Sequence, residues 1–179
     1  MSSIIGESTP TRASVVPVGR IAIHESVDLS ASADDVWELI RDWAGMMRWW
    51  LSAEEGGLEG PSLVACTLVG ELDGVPRKRR MQLGNGAIVE EEVFYQNNEM
   101  RRIHYIKADA HDIKGYVAST YVDERDSTTC TVHVSSTFDA VPPLSSESAI
   151  DRFRAVYRAM FNGYQHYFGK THRPDLLDR

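Results

Sequence analysis

The sequence predicts an α+β fold in which an antiparallel sheet of about seven strands packs against one long C-terminal helix. Between residues 62 and 138, segments with strand character follow one another and are separated by turn residues. After Pro142-Pro143, apolar residues at three-and-four spacing mark a helix of about six turns. The chain has 179 residues, of which 42% are apolar and 25% are charged. These values fit one folded domain and exclude disordered and collagen-like classes.

The N-terminal part of the chain is predicted to hold one strand and two short helices. Residues 1–19 show no periodicity and are expected to form a flexible arm. Apolar and polar residues alternate over 21–29, which is typical of a strand. Ser32 and Asp35 have the spacing of a capped helix start, and a second, shorter helix is expected over 46–50.

The central region predicts a meander of strands. The segments lie at 62–72, 77–83, 87–95, 101–108, 115–123 and 129–138. The Asn85-Gly86 pair is a hairpin signal, and strands this close in sequence pair antiparallel. We assign 20–169 to one domain and 170–179 to a polar tail. The apolar positions of the long helix are Ile150, Phe153, Val156, Tyr157, Met160, Phe161, Tyr164 and Phe168.

The charge balance argues against several classes of partner. The chain has 19 basic and 26 acidic residues and a net charge of -7, which disfavours nucleic acid and other polyanions. The basic run 77–80 is interpreted as a solvated strand edge or hairpin. Without a long apolar run we expect no membrane insertion and a cytoplasmic location. Cys66 and Cys130 are expected to be buried thiols, with a disulfide as the open alternative.

Seven short stretches occur in a characteristic order along the chain. They are Ser32-Ala-Asp-Asp-Val-Trp37, Met47-Arg-Trp49, Gly86-Ala-Ile-Val-Glu-Glu-Glu-Val93, Arg101-Arg-Ile-His-Tyr105, Gly115-Tyr-Val-Ala118, Thr131-Val-His-Val134 and Phe138-Asp139. By their order and spacing, the stretches resemble those of the helix-grip superfamily, which includes START-like proteins and the bacterial polyketide cyclase/dehydrase and lipid-transport-like proteins. The resemblance covers about residues 20–168.

The resemblance implies a curved sheet that grips the long helix around an apolar cavity for a small, often ring-containing ligand. It does not imply one reaction, because the superfamily holds cyclases, other enzymes, hormone receptors and lipid carriers. The leading hypothesis is an aromatase/cyclase-like enzyme for an aromatic or polyketide-like compound. The alternative is a non-catalytic carrier or sensor of a lipid or aromatic metabolite. We expect no cofactor and a monomer or homodimer.

Strand alternation and the matched motifs assign side chains to the cavity face. On the two short helices, tryptophans are expected to border the cavity or to anchor the core. On the long helix, apolar and tyrosine side chains are expected to face the sheet. The expected ligand-binding residues are Trp43, Trp49, Trp50, Arg79, Met81, Tyr95, Tyr105, Ala118, Thr120, Val134, Phe153, Tyr157 and Phe161.

Glu91 and Tyr116 are the candidate catalytic residues. A carboxylate that faces an apolar cavity has a raised pKa unless a cation pairs with it, and it can act as a general acid or base. An ion pair between Glu91 and Arg79 across neighbouring strands is the open structural alternative, and Glu90 or Glu92 is the inward residue if the register shifts by one. Tyr116 combines an apolar ring with a hydroxyl that needs a partner when buried.

The remaining polar clusters do not predict a metal site. His104, Asp109, His111 and Asp112 lack a recognised ligand spacing and are interpreted as solvated loop residues. The histidines on strands, His24 and His133, are interpreted as satisfied surface residues. No phosphate-binding, nucleophile-elbow or zinc-protease motif occurs in the sequence.

Overall fold

Seven antiparallel strands form one sheet in the computed structural model, which describes residues 20–50 and 62–171, with side chains to Gly169. Their order is β1-β7-β6-β5-β4-β3-β2, so β1 and β2 lie at the edges. The expected arm at 1–19 lies outside the described residues, as does the expected tail except for the helical backbone of 170–171. The strands are β1 (Ile21–Leu29), β2 (Leu63–Val69), β3 (Arg77–Leu83), β4 (Ile88–Asn97), β5 (Arg102–Lys107), β6 (Ile113–Asp126) and β7 (Thr129–Ala140).

Two short helices follow the first strand, as predicted. Helix α1 spans Ala33–Arg41, and a 3-10 helix spans Gly45–Arg48. The hydroxyl oxygen of Ser32 accepts a hydrogen bond from the backbone N–H of Asp35 at 3.1 Å, which caps one of the open donors at the helix start. The capping spacing in the sequence is therefore confirmed, and it fixes where the chain leaves β1 and turns across the sheet.

The long helix α2 spans Ser146–Thr171 and lies on the concave side of the sheet. Its backbone approaches β1 and β7 most closely and lies farther from β3, β4 and β5. Gly163 allows the close approach of Trp49, because a Cβ at this position would lie 2.5 Å from the Trp49 carbonyl oxygen. Because Gly163 has no side chain, α2 packs directly against Trp49, the residue that follows the 3-10 helix.

The register of β4 differs from the prediction at one place. Val93 pairs with Tyr105, but Tyr95 pairs with His104, so the ladder shifts by one residue between Val93 and Tyr95. Beyond this bulge the side chains change face, and Tyr95 is 40% exposed rather than directed inward. The expected inward orientation of Tyr95 is therefore wrong, because simple alternation ignores the extra residue.

Both cysteines are free thiols, and Cys130 is buried as predicted, whereas Cys66 is only half-buried. Burial raises the pKa of Cys130 to about 11, and it also raises the pKa of the half-buried Cys66. No helix in the described part of the chain is both long and apolar enough to cross a bilayer.

Candidate functional site

A buried ion pair lies on the concave face of the sheet. The Arg79 guanidinium contacts Glu91 Oε2 from Nε at 2.7 Å and from a terminal nitrogen at 2.5 Å. The two residues are direct neighbours on β3 and β4, and their side chains are only 11% and 12% exposed. Because a buried charge is costly unless it is paired, this geometry explains how a carboxylate is held inside an apolar interior.

Glu90 and Glu92, on either side of Glu91, also lie opposite basic residues of β3, but their side chains are on the outer face of the sheet. Glu92 contacts Lys78 at 3.1 Å and is 30% exposed, and Glu90 contacts Arg80 at 3.8 Å and is 43% exposed. Each of the three glutamates on β4 therefore lies opposite a basic residue of β3, whereas Arg77 lies opposite Val93. The interpretation of that basic run as a solvated edge is correct only in part, because Arg77 and Arg79 are buried.

Aromatic rings cover the guanidinium of Arg79. Its central carbon lies 3.8 Å from the ring centroid of Trp43 and 5.9 Å from that of Tyr105. A cation over an aromatic face is stabilised by the ring quadrupole, most strongly where water is excluded. Trp43 and Tyr105 also contact each other at 4.8 Å between centroids, so both rings hold the ion pair in place.

Lys107 brings a second positive charge to this region. Its backbone lies opposite Glu91 in the β4–β5 ladder, and its amine lies 6.0 Å from the Phe153 ring of α2. Burial lowers the pKa of Lys107, and the charge of Glu91 partly opposes that shift. The sequence analysis did not include Lys107 among the site residues. The alternation of Ile103, Tyr105 and Lys107 along β5 could have indicated that it shares their face of the sheet.

Three hydroxyl groups form a chain beside the charged residues. Tyr157 on α2 donates to Ser136 Oγ at 2.5 Å, and the hydroxyls of Tyr116 and Tyr157 lie 3.0 Å apart. Because the Tyr157 proton is used by Ser136, Tyr116 donates to Tyr157 in this arrangement. Ser136 was predicted to face inward but was not included among the site residues. The hydroxyl chain connects β6, α2 and β7.

Burial determines the protonation of these tyrosines. It raises the pKa of Tyr105, Tyr116 and Tyr157 above the ordinary value of 10. The nearby charge of Glu91 adds to each shift. The three phenols are therefore neutral at physiological pH and serve as hydrogen-bond donors or acceptors rather than as bases.

The other predicted site residues separate into two groups. Tyr95 lies on the outer face, and Trp50 is half-buried against Trp49 at 5.7 Å between ring centroids. The remaining ones are buried on the concave side with the ion pair and the hydroxyl chain, and their role in ligand binding stays a prediction. They are Trp49, Met81, Ala118, Thr120, Val134, Phe153 and Phe161.

A separate cleft of about 510 Å³ opens on the surface between α1, the 3-10 helix and the end of α2. It contains none of the predicted site residues. Its arginines are already paired, Arg41 with Glu38 at 2.7 Å and Arg48 with Asp42 at 2.7 Å. We therefore place the candidate site at the buried polar group and not in this cleft.

The described residues hold no group of three or more histidine, cysteine or acidic side chains arranged to bind a metal ion. The candidate site consequently offers charges, hydroxyl groups and aromatic surface. An arrangement of this kind can orient a carbonyl or phenol, stabilise negative charge on oxygen and exchange a proton with a carboxylate.

Comparison with known proteins agrees with this architecture. Solved structures with the same fold include a structural genomics target from Bacillus thuringiensis, with 23% identity, a TM-score of 0.68 and coverage of 83% of this chain and 98% of that chain. A START superfamily protein from Mycobacterium smegmatis has 11% identity and a TM-score of 0.68, with coverage of 86% and 99%. A search of curated proteins finds no match.

A third structure is that of a larger protein. The di-domain ARO/CYC protein BexL, from the BE-7585A biosynthetic pathway, has 16% identity and a TM-score of 0.67. The match covers 86% of this chain and 48% of BexL. The model of the family described as polyketide cyclase / dehydrase and lipid transport matches residues 20–167. With a START-like helix-grip fold and a family match over most of its length, this chain belongs to the polyketide cyclase/dehydrase and lipid transport family.

Proposed function

We propose that this protein binds a small hydrophobic, aromatic or polyketide-like molecule between α2 and strands β3–β6 and catalyses its cyclisation and dehydration. The observation that carries the proposal is the buried Arg79–Glu91 pair, flanked by Lys107 and by the tyrosine hydroxyls on the concave face. A solely structural interior has no need of so many polar groups, since each is costly to bury. A ligand with an apolar body and several oxygen atoms suits such an interior.

In the proposed reaction Glu91 accepts a proton from a carbon next to a ligand carbonyl. The resulting enolate carbon forms a bond to a second carbonyl carbon of the same molecule, and the alkoxide formed there takes up the proton that Glu91 carries. Glu91 then removes a second proton from the carbon that formed the bond and returns it to the departing hydroxyl, so that one water molecule leaves and the unsaturated ring forms. Arg79 and Lys107 supply two positive charges against one carboxylate, which favours the transient negative charge on the ligand oxygens.

The hydroxyl chain has a defined role in this proposal. When a ligand oxygen accepts a hydrogen bond from Tyr116, the chain reverses direction, so that Ser136 donates to Tyr157 and Tyr157 donates to Tyr116. Tyr116 then positions the carbonyl through its phenolic proton, which its raised pKa retains. Confinement of one reactive conformer by the surrounding aromatic rings contributes further to the rate.

A carrier or sensor of an aromatic or lipid metabolite is the second candidate. The observation that favours it is the same ion pair, because Arg79 already makes two contacts with Glu91 Oε2 and leaves that oxygen less free to accept a proton from a ligand. In a carrier, the polar group only orients the ligand, and the protein returns the ligand unchanged.

The test compares turnover and binding in matched variants, with a linear poly-β-keto thioester as substrate and a fused-ring phenol as binding probe. For an enzyme, Glu91→Gln lowers turnover at least a hundredfold but keeps affinity for the phenol within a few fold. Tyr116→Phe lowers turnover about tenfold or more. The control Glu90→Gln changes a neighbouring, exposed carboxylate and leaves both properties unchanged.

The outcomes separate the two candidates. Phenol binding without conversion of the thioester by the unmodified protein supports the carrier. Conversion that survives both Glu91→Gln and Tyr116→Phe shows that the assignment of these residues is wrong. Circular dichroism of each variant verifies that the fold is retained.

A further inference from the structure

The outer face of the sheet carries a pair of histidines that the proposed ligand site does not use. His24 on β1 lies opposite Ser135, and His133 on β7 lies opposite Ser26, so the two rings are diagonal neighbours. His24 Nε2 and His133 Nδ1 are 3.5 Å apart. We propose that these two nitrogens form a binding site for a divalent transition-metal ion, with Zn²⁺ as the representative.

The separation of the nitrogens suits such an ion. In tetrahedral coordination with Zn–N bonds of about 2.0–2.1 Å, two nitrogen ligands are about 3.3 Å apart. The observed distance of 3.5 Å is close to this value, and because the two rings are stacked with 29° between their planes, each rotates to direct its lone pair at a shared ion. In the absence of metal the same two nitrogens share one hydrogen bond, which is long for its type.

The other nitrogen of each ring already has a partner. His24 Nδ1 lies 2.8 Å from Ser135 Oγ, and His133 Nε2 lies 3.4 Å from Asp123 Oδ2. Histidines that bind metals commonly use the second ring nitrogen in this way, which fixes the tautomer and the ring orientation. When the metal binds, the His24 proton moves to Nδ1, where Ser135 Oγ accepts it, so neither ring has to change its charge.

Aromatic stacking holds the His133 ring in place. The ring lies parallel to Tyr121, with 4.5 Å between centroids and an interplanar angle of 8°. The guanidinium of Arg102 covers Tyr121 at 4.7 Å. The His133 side chain is 19% exposed and that of His24 is exposed, so a metal ion has access from solvent while one ligand is preorganised.

The chemistry of the donors limits the choice of ion. Imidazole suits Zn²⁺, Cu²⁺ and Ni²⁺, whereas Mg²⁺ and Ca²⁺ prefer oxygen ligands. The described residues provide no third protein ligand, so water fills the remaining positions on the outer face. A bound ion would connect the edge strand β1 to β7 and thereby stabilise the edge of the sheet.

Zn²⁺ titration by calorimetry tests the proposal with the full chain, free of any affinity tag. A Cys66→Ser background removes the half-buried thiol as a competing ligand in every sample. We expect one Zn²⁺ per chain and a rise of a few degrees in the Tm with saturating metal. His24→Gln and His133→Gln each weaken binding at least tenfold and remove the rise in Tm. The control His111→Gln, whose ring is 90% exposed on a loop, changes neither.

Nuclear magnetic resonance of the ring nitrogens supplies a readout that does not depend on the variants. Zn²⁺ should shift His24 Nε2 and His133 Nδ1 and leave the other histidines in place. The proposal is wrong if Zn²⁺ does not bind the unmodified chain, if His111→Gln weakens binding as much as the other variants, or if the shifted nitrogens belong to other histidines.

Discussion

At the scale of single residues, the orientation of Glu91 decides the chemistry of the interior. Three consecutive glutamates occupy β4, and a register change of one position would direct Glu90 or Glu92 inward instead. Pairing with β3 places Arg79 beside Glu91 on the concave side, whereas Lys78 and Arg80 meet the other two outside. The alternation of side chains along β4 correctly predicted that Glu91 faces inward. Its burial is tolerated because the Arg79 cation on β3 pairs with it.

The ion pair predicts a strong stability effect when one partner is removed. Arg79→Met leaves Glu91 buried without its partner and should lower the free energy of unfolding by about 3–5 kcal/mol. The double variant Arg79→Met/Glu91→Leu should recover part of this loss, because neither member of the ion pair is left buried without the other. Urea denaturation measures both. Arg80→Met, which opens the exposed pair with Glu90, should cost about 0–1 kcal/mol. Equal losses for Arg79→Met and Arg80→Met would contradict the burial argument.

The buried tyrosines predict how stability changes at alkaline pH. Burial raises the pKa of Tyr105, Tyr116, Tyr157 and Tyr164 in the folded chain above the ordinary value of 10. Below pH 10 both states keep these protons, so the contribution to stability is constant. Above pH 10 only the unfolded chain releases them, and stability falls as the pH rises.

Absorbance at 295 nm, recorded together with circular dichroism, checks this prediction. The four phenols should ionise only as the chain unfolds, so the absorbance step of the buried tyrosines coincides with loss of the fold. Ionisation of every tyrosine near pH 10 in a chain that is still folded would show that these side chains are accessible.

At the scale of elements, two local irregularities position the site. The bulge in β4 sends Tyr95 to the outer face while Glu91 and Val93 remain inside. Bulges leave little trace in the alternation of a single strand, and for this reason the prediction for Tyr95 was wrong. The second irregularity is the close contact of α2 with Trp49 at Gly163, which brings the 3-10 helix against the long helix.

This contact predicts opposite effects for two glycines in α2. Gly163→Ala should destabilise the protein by about 1–3 kcal/mol, because the new Cβ collides with the Trp49 backbone despite the better helix propensity of alanine. Gly169→Ala adds a Cβ with no atom within 4 Å and should be neutral or stabilising by up to about 1 kcal/mol. Thermal unfolding of both variants measures the difference. A neutral Gly163→Ala would show that the helix and Trp49 move apart easily.

At the scale of the whole molecule, the net charge and the charge of the site differ in sign. The chain carries -7 overall, but its interior combines Arg79 and Lys107 with one carboxylate. Acidic side chains lie mainly on the outside, where water solvates them. The overall charge therefore describes the surface and not the interior, where two cations lie beside one carboxylate.

The crowding of all four tryptophans between residues 37 and 50 predicts a fluorescence signal for ligand binding. Trp43 covers the Arg79 guanidinium, so a fused-ring phenol in the proposed site should quench or shift its emission. Trp43→Phe should remove most of this response. Trp37→Phe, at a buried position on α1, should keep it. A titration that gives the same response in both variants would place the ligand away from Trp43.

The sequence by itself determined the order of strands and helices, the two short helices after β1 and the burial of most of the predicted residues. Alternation and helical spacing are local patterns, and each records which face of one element is apolar. Only the tertiary structure showed that Arg79 pairs with Glu91 while Lys107 lies opposite Glu91 on the next strand, and that Tyr116, Tyr157 and Ser136 form one hydroxyl chain. These contacts join residues 12 to 41 positions apart, and strand register together with the placement of α2 decides them.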